Sequence, residues 1–134
     1  MQKISNVEGI GRVYATRLAN IGVSTFEALL KRGASKKGRK NIADKCGIPE
    51  DDILRCVKKA DLARIKGIGS QYADLLEVVG VDSVPKLAQR KAGNLHNKMM
   101  EVNAEENVVS QLPAEPKVKD WVKQAQELDK VVTY

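Results

Sequence analysis

Apolar positions along the chain recur at three- and four-residue spacings and never sustain a period of two, which predicts helices and no sheet. Val13, Ala15, Leu18 and Ala19 form the first stripe, and Gly22 follows as a C-terminal stop. Ser24 or Thr25 is placed to cap a short helix over Phe26, Leu29 and Leu30. Ser35 is placed to cap the next, which runs through Ile42 and Ala43 and ends before Gly47. Pro49 suits a first helical turn, and Glu50, Asp51 and Asp52 sit where the helix dipole favours negative charge. The helix predicted there, residues 50–59, buries Ile53, Leu54, Val57 and Ala60.

The second half repeats this plan. Gly80 is its stop, Asp82 or Ser83 its cap with Pro85 in the first turn, and Asn94 caps a helix over Leu95, Met99 and Met100. A last helix, residues 116–128, puts Val118, Trp121, Val122, Ala125 and Leu128 on one face. Aligned at an offset of 58, nine positions are identical, including Gly9/Gly67, Ile10/Ile68, Gly11/Gly69, Tyr14/Tyr72, Ala15/Ala73 and Leu18/Leu76. Near the ends of the repeats the match resumes at an offset of 65, with Ile53, Cys56 and Val57 facing Val118, Trp121 and Val122. Such regularity marks an internal duplication, with seven extra residues entering the second copy within residues 103–116. The expected fold is all-α: two duplicated halves, residues 1–62 and 63–134, packed together as one compact unit in a SAM-like helical bundle.

Composition narrows the picture. The chain has 134 residues, 43% hydrophobic and 30% charged, with one Trp, one Phe and three Tyr, which suits an aliphatic core. No long apolar run or cleavable leader pattern is present, so a cytoplasmic, non-membrane protein is expected. Cys46 and Cys56 have no partner at metal-ligand spacing and read as reduced thiols, and His96 stands far from both. Charge is unevenly placed. Residues 1–62 carry 13 Lys and Arg against 7 Asp and Glu, net +6, whereas residues 63–134 carry 10 against 10. A basic half attracts polyanions.

The most specific signal is the stretch VEGIGRVYATRL, residues 7–18, returning as IKGIGSQYADLL, residues 65–76. Glycines flanking an apolar residue supply the backbone freedom needed to join two helices tightly, and Ile10 or Ile68 plugs the space between them. The amides of Gly11, Arg12 and Val13, and of Gly69, Ser70 and Gln71, open a helix and lack intrahelical partners, which suits an anion. Two such sites can hold the two strands of a duplex across the minor groove, reading backbone and not base sequence.

This pattern resembles the helix-hairpin-helix motif of DNA ligases, Holliday-junction binding proteins, excision nucleases and some polymerases. The complete chain is similar to an uncharacterised family of small tandem helix-hairpin-helix proteins known only as a domain of unknown function. The resemblance implies that hairpin amides bind DNA phosphate, sometimes with a monovalent cation, and that Gly9, Gly11, Arg12, Gly67, Gly69 and Ser70 are binding positions. Charge adds Arg17, Arg64 and Lys66, and the run KRGASKKGRK, residues 31–40, contributes Lys36, Lys37, Arg39 and Lys40. Glu8 and Lys66 occupy the same place in the two copies, so the copies are not expected to grip a backbone alike.

Other readings carry less. A helix-turn-helix over residues 41–57 would open its second helix with three acids facing phosphate. Trp121 reads as core, as does the Met99-Met100 pair, and His96 as an exposed or capping residue. The lysine and aspartate of helix-hairpin-helix glycosylases are missing, as are a phosphate-binding Gly/Lys loop and a nucleophile served by histidine, so no enzyme activity is expected. The expected function is non-sequence-specific binding of double-stranded DNA, with no cofactor beyond a monovalent cation. The alternatives are a protein-interaction or scaffold module, and RNA or junction binding.

Overall fold

The computed structural model describes residues 11–134, leaving out the side chain of Ser70. Among the described residues there are eight helices: α1 (Arg12–Asn20), α2 (Phe26–Gly33), α3 (Lys36–Cys46), α4 (Glu50–Leu62), α5 (Ser70–Val78), α6 (Val84–Ala88), α7 (Ala92–Glu106) and α8 (Glu115–Glu127). The chain divides into two compact units, Met1–Asp61 with Lys130–Tyr134, and Leu62–Asp129.

In the first unit the helix boundaries follow local chemistry. The Thr25 hydroxyl accepts the Ala28 amide to start α2, and the Ser35 hydroxyl accepts the Gly38 amide to start α3. Gly47 then ends α3 in the left-handed region, and three acids open α4. α3 packs against α1 and α2. Leu18, Phe26, Leu29, Ile42, Ile53, Val57 and Ala60 are buried, whereas Leu54, expected in the core, is only half-buried.

The last five residues, which a division at residue 62 assigns to the second half, belong to the first unit. Thr133 donates its amide to the Ala34 carbonyl at 2.8 Å, Val132 is buried, and the Lys58 ammonium lies 5.6 Å from the centre of the Tyr134 ring. Residues returning from so far along the chain leave no local signal of their destination.

The second unit is built around α8, which packs against α6 and α7, while α5 packs on α7. Trp121, Val118, Leu75, Leu76, Leu87, Leu95 and Met99 form its fully buried centre, so Trp121 and Met99 are core. Met100, paired with Met99 in the sequence reading, points outward at 41% exposure. Ser83 caps α6 by accepting the Lys86 amide. Asn94 is not a cap: α7 starts at Ala92, with Lys91 as its capping residue and no side-chain capping bond. Ala92 extends a helix readily, and a Glu115 carboxylate oxygen lies against Gly93, supplying an acid to that first turn from another helix.

α7 continues to Glu106, into the segment expected as an insertion. Beyond it Asn103 brackets Val109, accepting its amide at 2.9 Å and donating to its carbonyl at 3.1 Å. His96 Nε2 hydrogen-bonds the Pro113 carbonyl at 2.9 Å, so this half-buried histidine ties the loop to α7.

Candidate functional site

Between α4 and α5 the second unit turns within seven residues. Ile65 donates its amide to the Leu62 carbonyl and Ile68 donates to Ile65, so the turn is a chain of short local bonds with Ile65 and Ile68 buried beneath it. Gln124 of α8 holds it from the side: its carbonyl accepts the Lys66 amide at 2.9 Å and its amide group donates to the Lys66 carbonyl at 3.2 Å. The same amide group donates to Asp120, which orients it.

The two glycines of this turn differ in what they require. Gly67 has φ +99°, a conformation that side chains resist, and a Cβ there would stand 2.8 Å from Trp121 Nε1 and 3.6 Å from Lys117 Cε. Gly69 is exposed, has φ −91° and ψ −174°, and a Cβ there would meet nothing within 4 Å. It is the capping residue of α5 with no side-chain capping bond, so the first amides of that helix are left open. Lys66 is exposed beside them, and Ser70 contributes the first of those amides. Arg64, by contrast, is half-buried and donates to the Asp129 carbonyl at 3.1 Å.

One group beside the turn, Lys117, escaped the sequence reading. Lys117, exposed on α8, brings its stem beside Gly67 and its ammonium 6.0 Å from the centre of the Tyr72 ring. Tyr72 in turn lies 5.3 Å from the Trp121 ring, tilted by 51°, and donates its hydroxyl to the Gln111 carbonyl. The offset of 65 that aligns Trp121 with Cys56 also aligns Lys117 with Asp52, and that exchange of sign was the available signal.

In the first unit, Gly9 and Glu8 lie outside the described residues. Gly11 caps α1 at φ +85° with no side-chain bond and open space where a Cβ would be. Arg12 and Arg17 are exposed on α1, and Arg17 donates to the Gly47 carbonyl at 3.3 Å. Val13, counted in the apolar stripe, is 61% exposed. Lys36, Lys37 and Lys40 are exposed around the start of α3, where an open cleft of ≈ 510 Å³ is lined by Arg32, Ser35, Lys37, Lys40, Asn41 and Asp44.

Arg39, placed with them by the sequence, is 4% exposed. Its guanidinium donates to the carbonyls of Gly33, Ala34 and Thr133 at 2.9, 3.0 and 2.7 Å, so it joins α2, α3 and the C-terminal residues instead of facing outward. Composition counts the charge but not its direction.

Tyr14 is the counterpart of Tyr72 in sequence, yet its hydroxyl donates to Asp52 Oδ2 at 2.7 Å. That hydrogen bond, then desolvation and the Asp52 charge, raise the Tyr14 pKa above its ordinary value. A folded-state pKa above the unfolded one means that the contribution to stability is complete below the ordinary tyrosine pKa of about 10 and is lost as pH rises beyond it. A phenolate absorbance titration is therefore expected to show Tyr14 ionising late, and Asp52→Asn to return it towards the ordinary range. Burial similarly pushes the Cys46 thiol up, against the opposing pull of Arg32 and Arg17.

Among the described residues, no helix is long and apolar enough to cross a membrane. Residues 8–128 match the model of a family described as Domain of unknown function (DUF4332). No curated protein and no solved structure matches the chain significantly.

Proposed function

We propose that this chain, which belongs to the DUF4332 family, is a duplicated helix-hairpin-helix protein of the cytoplasm that binds duplex DNA through backbone phosphates, without catalysis and without base readout. The observation that carries this reading is Gly69. Glycine at a turn is ordinarily explained by its torsion or by a close neighbour, and here neither applies. What remains is approach from outside: with no side chain in the way, a phosphate oxygen can reach the open amides of Ser70 and Gln71 at the positive end of α5. Lys66 supplies charge beside them, and Arg12, Arg17, Lys36, Lys37 and Lys40 form a second exposed basic set in the first unit. Arg39 is left out because its donors are engaged by carbonyls.

Cys46 and Cys56 are reduced thiols, not joined in a disulfide, as suits a reducing compartment. Docking of a protein partner on the second unit calls instead for a contiguous apolar patch. Among the described residues the large apolar side chains most exposed there are Val78 and Met100.

Gly69→Asp tests the reading. Aspartate is a favoured capping residue and its backbone conformation here is unstrained, so stability is expected to stay level or rise by a few tenths of a kcal/mol. Its carboxylate would occupy the amides and repel phosphate, so affinity for an arbitrary duplex at low salt, read by fluorescence anisotropy, is expected to fall at least about tenfold. Undiminished binding by the folded variant, or no duplex binding by the unaltered chain, would falsify the proposal.

A further inference from the structure

We infer that the turn of the second unit carries a built phosphate seat, completed by Lys117 and by the indole N–H of Trp121, and that the first unit has no equivalent among the described residues. The seat rests on the reading that phosphate meets the residue 67–69 turn. Its own support comes from α8.

Trp121 is fully buried, and its Nε1 has no hydrogen-bond partner among the described residues. A buried donor left unpaired is uncommon and unfavourable. The nitrogen is also the ring atom nearest the gap at Gly67: it stands 2.8 Å from the position of a Gly67 Cβ, whereas Cδ1 stands 3.7 Å away. The missing side chain at Gly67 therefore leaves a gap whose nearest atom, chain neighbours of Gly67 aside, is the indole nitrogen.

Lys117 stands over the same gap, with its Cε 3.6 Å from that Cβ position and its ammonium held near the Tyr72 face. Tyr72 is fixed by its bond to Gln111, and the turn itself by Gln124. A phosphate oxygen drawn to the turn thus meets the α5 amides and the lysine ammonium, with the unpaired indole N–H beside Gly67 as a third donor. All of these are donors, and two of them are delivered by one helix.

The first unit differs at each of these positions. At the sequence offsets that relate the two halves, Asp52 stands for Lys117, Cys56 for Trp121 and Glu8 for Lys66. Asp52 is hydrogen-bonded to Tyr14, so an acid takes the place of the cation beside that tyrosine.

The chain has one tryptophan, so its indole N–H gives one NMR cross-peak that reports on the seat directly. The full chain is titrated first with inorganic phosphate and then with a short duplex of arbitrary sequence. In both titrations the indole peak is expected to move downfield, as a hydrogen bond to oxygen forms. Lys117→Gln is expected to weaken duplex binding about tenfold and to reduce the dependence of log K on log salt by about 0.9, the value for one duplex phosphate. Lys98→Gln, which removes the same charge from an exposed site on α7, is expected to do neither.

Duplex binding with a stationary indole peak, or with Lys117→Gln matching Lys98→Gln, would overturn the seat while leaving the DNA reading in place. A Lys117-dependent response to phosphate without duplex binding would do the reverse. A peak that responds to neither titrant would also overturn the seat.

Discussion

Gly67→Ala is expected to destabilise the second unit by about 2–4 kcal/mol, measured as a lowered urea midpoint with near-unchanged slope. Two separate effects contribute. An alanine held at φ +99° sits in a region that costs L-residues about 1–2 kcal/mol. Its methyl group would also stand 2.8 Å from a ring nitrogen that cannot retreat, because Trp121 is fully buried at the centre of the unit. Overpacking of that kind costs about 1–3 kcal/mol. Gly69→Ala, two residues away, is the control: with φ −91° and open space around the added methyl, the change is expected to stay within about 0.5 kcal/mol. Equal effects at the two positions would show that the turn does not hold Gly67 against Trp121 in solution.

The contrast marks how far the sequence could be read. Helix starts at Thr25, Ser35 and Ser83 were legible because a cap is a contact between residues three apart. The start of α7 was misplaced at Asn94 because the acid facing its first turn comes from Glu115, on a different helix. The paired glycines stood out as a repeated phrase, but the phrase treats Gly67 and Gly69 alike. Only torsion and surroundings separate a glycine required by the fold from one that leaves space for a ligand. Lys117 was missed for a related reason: it joins the turn through α8, fifty residues further along the chain. Its alignment with Asp52 at an offset of 65 was visible, and what that alignment meant depended on the packing of α8.

Arg39→Met is the second large effect, expected to destabilise the first unit by about 2–4 kcal/mol. Methionine retains most of the buried stem but none of the donors. The Ala34 carbonyl would keep the Thr133 amide and hydroxyl as partners, whereas those of Gly33 and Thr133 would each lose their guanidinium bond. Leaving the buried Gly33 carbonyl unpaired costs about 1–3 kcal/mol, and loss of the part-buried Thr133 bond adds about 1 kcal/mol, which together give the stated range. Because Thr133 is one of the residues that fasten the C-terminal segment, the Thr133 amide is expected to exchange its hydrogen faster in the variant than amides in the middle of α3, a local opening superimposed on the global loss. The same variant separates the two roles open to this arginine. If Arg39 joins elements, stability and exchange change while duplex affinity at low salt, measured under conditions where the variant is folded, stays close to that of the unaltered chain. If it contacts phosphate as its place in the basic run suggested, affinity and salt dependence fall while the urea midpoint stays put. Burial at 4% exposure with three carbonyl acceptors favours the first outcome, and it explains why a run of six basic residues in ten presents fewer cations to solvent than its composition implies.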